Sequence, residues 1–163
     1  MAIVGYMGSG KTTLGRLLAR ALGLEFVDLD RAIVKCAGRG IPEIFAERGE
    51  KHFRDLEHKA LADALQGRSP SVIACGGGVV TRPDNRALLR DVITIFLKED
   101  TDVLYRRTRG PGRPLRAASR EEFEQRYAER LPFYTEVADI EVGVDGRPPA
   151  KVAEEVLGCL SRR

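Results

Sequence analysis

Residues 5–12, Gly5-Tyr6-Met7-Gly8-Ser9-Gly10-Lys11-Thr12, read G-x-x-x-x-G-K-T, a spacing suited to holding a polyphosphate. A loop that wraps such an anion must aim several backbone N–H groups inward, so side chains are excluded at its turns and Gly5, Gly8 and Gly10 supply the dihedrals. Lys11 brings a point charge to the outer phosphates, and Thr12 a hydroxyl oxygen of the kind magnesium prefers. The motif follows the apolar Ala2-Ile3-Val4 and precedes Leu14, Leu17, Leu18, Ala21 and Leu22, which recur with helical spacing. The cradle therefore joins a strand to a helix whose first N–H groups and positive dipole end face the same anion. The expected ligand is a nucleoside triphosphate with Mg2+, held by Gly8, Ser9, Gly10, Lys11, Thr12 and Thr13.

Further along, Asp28-Leu29-Asp30 closes a stretch with strand character, and in a doubly wound sheet ligands gather at the carboxyl ends of strands. Alternation along an extended segment puts Asp28 and Asp30 on one side. One carboxylate would then hold a magnesium-bound water while the other reaches an acceptor hydroxyl. Asp30 also suits the cap of a helix starting at Arg31, and both roles can coexist. Arg54 and Glu57 stand three apart and meet on one helix face, so Glu57 can hold the guanidinium in position; the same spacing also describes an exposed ion pair of little energetic worth. Gly76-Gly77-Gly78, directly after Val72-Ile73-Ala74-Cys75, permits close approach of backbone to a ligand. Residues 109–116 hold two glycines, two prolines and three arginines, which break helices while keeping positive charge. That composition suits a lid that excludes water from phosphoryl transfer, or a solvated connection.

These residues need a frame to position them. Strand-like runs occur at 2–4, 25–28, 72–74, 93–97 and 140–142, and the segments between the first four are long enough for crossover helices. The alternation implies an α/β fold with a parallel sheet covered on both faces. The first helix is expected from Lys11 to Leu22 with Gly23 as its C-cap, another from Asp100 or Thr101 to about Thr108, and another opening at Pro83. The stretch from Asp30 to Gln66 exceeds a minimal crossover, and Ile41, Ile44, Phe45, Phe53 and Leu56 fit helices projecting from the core as a substrate platform. A chain of 163 residues suits a single domain, 1–163, with the platform at about 31–60 and the lid at about 109–120.

Composition narrows the partners. No apolar run approaches the length that crosses a bilayer and no leader precedes the loop, so no membrane partner and a cytoplasmic location are expected. The net charge of +3, without a basic stripe interleaved with aromatics, speaks against nucleic acid. Cys36, Cys75 and Cys159 are odd in number and scattered, as reduced thiols are. His52 and His58 lack the spacing of helical metal ligands and are expected at the surface. Neither a coiled coil nor a large apolar face is evident, so a monomer is expected. With three residues between Met1 and Gly5, the first strand is expected to be short.

Taken together, GYMGSGKT at 5–12, DLD at 28–30, FR at 53–54, GGG at 76–78, RPL at 113–115 and R-x-P-x-Y at 130–134 make the chain resemble the shikimate kinase family over nearly its whole length. The resemblance implies a three-layer P-loop kinase fold: a five-stranded parallel sheet of order 2-3-1-4-5, a projecting shikimate-binding helical region and a lid. It also implies transfer of the γ-phosphoryl group of ATP to the 3-hydroxyl of shikimate, with Mg2+, in chorismate and aromatic amino-acid biosynthesis. By that similarity Asp30, Lys11 and Arg113 are catalytic, Asp30 binding the acceptor hydroxyl and taking its proton. Thr12 and Asp28 serve the metal. Arg54 and Arg130 grip the shikimate carboxylate as planar forks, and Gly76, Gly77 and Gly78 complete the pocket, with Ile41, Phe45, Phe53, Pro114 and Leu115 as its apolar wall. Arg113 meets the phosphates from the lid, and Arg107 and the Arg147-Pro148-Pro149 segment match adenine-contacting positions. Arg116 departs from the pattern, standing where an apolar residue is more usual. A gluconate or nucleoside monophosphate kinase would share the phosphate loop without needing GGG, FR and R-x-P-x-Y together. A non-catalytic nucleotide-binding module would not need Lys11, Thr12, Asp28, Asp30 and Arg113 together.

Overall fold

Period-two alternation distributes the strand side chains between two cores, and this creates the layers. The computed structural model describes residues 1–108 and 119–162. Strands β1 (Ala2–Val4), β2 (Glu25–Asp28), β3 (Ser71–Ala74), β4 (Thr94–Lys98) and β5 (Ile140–Gly143) form one parallel sheet in the order β2-β3-β1-β4-β5. The expected strands are therefore present, with boundaries shifted by one residue in the last three. Ile3, Val72, Ile95 and Leu97 point to one face, where they pack with α1 (Lys11–Leu22) and α7 (Pro149–Leu160). Ala2, Val4, Ile73 and Phe96 point to the other. That face is covered by α3 (Ile41–Leu65), α4 (Pro83–Arg90), α5 (Thr101–Arg107) and α6 (Arg120–Val137). Residues buried on both sides explain why these strands read as continuous apolar runs.

Helix starts and stops follow the expected chemistry in most places. Gly23 ends α1 in the left-handed region, its N–H bonded to Ala19 O, and Asp100 caps α5 by accepting the N–H groups of Asp102 and Val103. One assignment changes: α2 (Leu29–Ala37) begins before Asp30, and its cap is Asp28, whose Oδ1 accepts the N–H of Arg31 at 3.3 Å. Asp30 thus lies in a first helical turn, and helix geometry rather than strand alternation aims it. Helix α3 is broken at Gly49 (φ 76, ψ 175). α2 and α3 pack on one another around a small separate core of Ile33, Ile44 and Phe53. No described helix is long and apolar enough to cross a membrane.

His58 is not a free surface residue. It is half-buried, and its Nδ1 lies 2.7 Å from Oδ1 of the fully buried Asn85. Asn85 donates its amide N–H to Val79 O at 2.9 Å, so its Oδ1 is left to accept and His58 Nδ1 carries the proton. The bonds tie α3 and α4 to the 3-10 turn (Val79–Thr81) that follows the three glycines. Asn85→Ala leaves the Val79 carbonyl buried without its partner. Urea unfolding is expected to show a loss of about 1–3 kcal/mol; native stability would show that the network does not anchor this turn.

Candidate active site

The phosphate loop leaves the end of β1, at the centre of the sheet. Gly8 (φ 84) and Gly10 (φ 95) take conformations that L side chains rarely adopt, and Gly10 occupies the N-cap of α1. The Lys11 ammonium donates to the carbonyls of Gly5 at 2.8 Å and Tyr6 at 2.9 Å. Across from it the Thr12 hydroxyl donates to Asp28 Oδ2 at 3.0 Å. These groups line one end of a cavity of about 530 Å³ together with Gly8, Thr13 and Arg107.

Asp30, Arg54, Glu57, Gly76–Gly78 and Arg130 line the remainder of the same cavity. Arg54 Nη1 donates to Glu57 Oε2 at 2.7 Å, and its Nη2 to the exposed Glu50 at 3.0 Å. The Glu57 side chain is 1% exposed, so this is a buried pair and not the surface pair that its spacing equally allowed. Burial raises the Glu57 carboxyl above its usual range although Arg54 pulls the other way. Burial also works against the Arg54 charge, yet Glu57 and Glu50 leave the guanidinium above its ordinary value. Glu57 Oε1 is buried without a hydrogen-bond partner among the described residues. A Cβ on Gly76 would stand 2.6 Å from that oxygen and 3.1 Å from Asp30 Oδ1, so the two carboxylates flank one glycine.

The glycines are required by these approaches. A Cβ on Gly78 would fall within the guanidinium of Arg54, and Gly77 O accepts from Arg130 Nη1 at 3.3 Å and from the buried Tyr134 hydroxyl. Arg130 also sits 5.5 Å above the ring of Tyr6, within the phosphate loop. Burial pushes the Cys75 thiol up to about 12, which makes it a packing group rather than a nucleophile.

The structure thus brings Gly8, Gly10, Lys11, Thr12, Thr13, Asp28, Asp30, Arg54, Gly76, Gly77, Gly78, Arg107 and Arg130 to one cavity. Ser9 is buried beneath the loop, and Pro149, the first residue of α7, stands outside the cavity lining. Of the expected apolar wall, Ile41 and Phe53 line the cavity, whereas Phe45 packs behind Phe53 with ring centroids 4.7 Å apart. Arg113, Pro114, Leu115 and Arg116 lie outside the described residues, as does most of the expected lid; its last two positions are the cap and first residue of α6. Tyr134, which closes the R-x-P-x-Y string, supports Gly77, a role that no local sequence signal marks; the same holds for Asn85 and Glu99.

The family model described as shikimate kinase matches residues 7–161. The chain belongs to the shikimate kinase family. A shikimate kinase of Nitrobacter winogradskyi is 44% identical over all of this chain and 77% of its own length. One of Symbiobacterium thermophilum is 42% identical over all of this chain and 97% of its own. Among solved structures, the shikimate kinase from Acinetobacter baumannii in complex with shikimate superposes with a TM-score of 0.93 at 34% identity, covering 99% of this chain and 92% of that one. The P-loop kinase fold and sheet order expected of the family are those observed.

In this shikimate kinase family member Gly78 has φ −104, which alanine adopts without strain, so Gly78→Ala displaces the Arg54 guanidinium without a backbone cost. The variant is expected to fold cooperatively and to lose about tenfold or more in shikimate affinity by calorimetry, the reach of one charge-assisted pair. Wild-type affinity would show that the placement of Arg54 does not bear on shikimate binding.

Proposed function

We propose that this family member transfers the γ-phosphoryl group of ATP to the 3-hydroxyl of shikimate, giving ADP and shikimate 3-phosphate in aromatic amino-acid biosynthesis. The observation that carries this reading is the single cavity shared by the Lys11 cradle and the Arg54–Arg130 pair. A small polyhydroxylated acid needs a cation for its carboxylate, since an unpaired buried charge is costly, and it needs acceptors for its hydroxyls. Arg54 and Arg130 supply the first, and Asp30 with the unpartnered Glu57 Oε1 the second.

In the reaction, the shikimate 3-oxygen forms a bond to γ-phosphorus while the bond to the β,γ-bridging oxygen breaks. The electron pair leaves with ADP and the hydroxyl proton passes to the Asp30 carboxylate. Little covalent work falls to the protein, which aligns the acceptor and supplies charge. Lys11 answers the charge on the outer phosphates, and Arg113 reaches them from the lid at about 109–120. Arg107 and Pro149 hold the adenine end, and residues 31–60 accept the substrate within a single domain, 1–163. Thr12 and Asp28 fit magnesium: hard oxygen donors, 3.0 Å apart and lining the phosphate end, suit an ion that keeps most of its waters. Mg2+ neutralises phosphate charge when bound. The proposal also holds that the protein works as a cytoplasmic monomer, where ATP is made available, without a nucleic-acid or membrane partner.

Purified protein given ATP is expected to release ADP with shikimate and not with gluconate or a nucleoside monophosphate. Release that ignores the acceptor would reject the proposal. Asp30→Asn is expected to lower kcat by about a hundredfold or more, as for a lost general base, with ATP affinity near that of the unaltered protein. Unchanged turnover would discard Asp30 as the proton acceptor.

A further inference from the structure

Glu99 follows β4 directly and is one of few charged side chains in the interior: 1% of its side chain is exposed. It does not line the nucleotide cavity. Oε1 accepts the N–H of Asp100 at 3.1 Å, at the cap of α5. Oε2 lies 3.1 Å from Arg107 Nη1 in an ionic contact that misses hydrogen-bonding geometry. The same Nη1 donates to Gly8 O in the phosphate loop at 3.4 Å. Arg107 is therefore shared between a carboxylate behind it and a loop carbonyl beside it, while 40% of its side chain remains open toward the cavity that it lines.

The surroundings make this arrangement stiff. Arg107 is the last residue of α5, and the turn it ends is packed directly on the cradle: a Cβ on Gly8 would stand 3.0 Å from Thr108 Cγ2, 3.4 Å from Leu104 O and 3.6 Å from Arg107 Cβ. Thr108 is buried and bonds back to Leu104 O at 2.9 Å. A long arginine left to itself samples many rotamers and pays to be ordered when a ligand arrives. A buried carboxylate is costly unless a cation stays beside it, so the charge of Glu99 restricts Arg107 to rotamers that keep its guanidinium at the rim of the phosphate loop. That ordering is paid during folding, before nucleotide binds.

We infer that Glu99 is a positioning residue for the nucleotide: its buried carboxylate holds Arg107 against Gly8, so that the guanidinium is already placed for the adenosine phosphate ligand. The inference rests on the reading of Arg107 as a nucleotide contact. It concerns a residue that touches no substrate and that acts through one that does.

The test is a double-mutant cycle on ADP affinity, measured by calorimetry on the full chain, with shikimate affinity without nucleotide measured alongside. Glu99→Gln keeps the shape and the acceptor for Asp100 N–H while removing the charge. It is expected to weaken ADP binding about two- to fivefold, the range of a half-exposed ion pair, and to leave shikimate affinity unmoved. In an Arg107→Ala background the same substitution is expected to have no further effect. If the Gln variant does not fold, Glu99→Met, apolar and of similar length, takes its place in the cycle. Unchanged ADP affinity in Glu99→Gln, with Arg107→Ala weakened, overturns the inference and leaves the Arg107 reading intact. An equal loss in both backgrounds overturns it as well, since Glu99 would then act elsewhere. Tighter ADP binding overturns it too, because the carboxylate would be acting by repulsion of the phosphates. Native ADP affinity in Arg107→Ala removes Arg107 from the site and the inference with it.

Discussion

A guanidinium held by a carboxylate with no access to water is the interaction on which the end of the cavity away from the phosphate loop depends. Burying Glu57 is unfavourable, and burial alone drives its carboxyl toward the neutral form. Arg54 at 2.7 Å offsets that cost, but only if its fork lies flat against the turn after β3, in space that a side chain at residue 78 would fill. The run of three glycines follows from this: Gly76 admits Glu57 and Asp30, and Gly78 admits Arg54. Such a pair adds little to stability by itself. Its effect is to fix where a planar cation stands.

The second arginine of the pocket is held by different means. Arg130 has a carbonyl, Gly77 O, and the face of Tyr6 as its neighbours. Tyr6 belongs to the phosphate loop, and its carbonyl accepts from Lys11. One residue therefore touches the cradle with its backbone and Arg130 with its ring, and it packs within a buried aromatic cluster of Tyr6, Phe123 and Tyr127.

The parts of this site that were legible in the sequence are those in which chemistry restricts residue type locally. The phosphate loop demands glycines at set positions next to Lys11 and Thr12, and the strand and helix around it have their own periods, so both were found with their boundaries. Arg54 and Glu57 were paired from their spacing, but not their depth, because what covers Glu57 is a turn some twenty residues further on. Asp28 and Asp30 were placed on one cavity correctly and for the wrong physical reason, since the helix begins at Leu29 and Asp28 takes the cap. His58, Asn85 and Glu99 look like ordinary helix or loop polar residues; only contact between distant elements, 27 residues apart for His58 and Asn85, distinguishes them. Phe45, which the family resemblance places in the pocket wall, stands outside the cavity lining and packs on Phe53, a difference of one layer that hydrophobic periodicity does not resolve either.

The strand order has a temporal consequence. β1 carries the phosphate loop, and its hydrogen-bonded neighbours are β3, through Ile73 and Ala74, and β4, through Thr94–Phe96; the strand next in sequence, β2, is not among them. As the chain emerges from a ribosome, β1 lacks both of its sheet neighbours until β3 and then β4 have followed it. Closing such distant pairings costs entropy before any contact repays it. The phosphate-loop motif is thus made before the strands that hold it in shape, and a product truncated ahead of β3 carries the motif without the cradle.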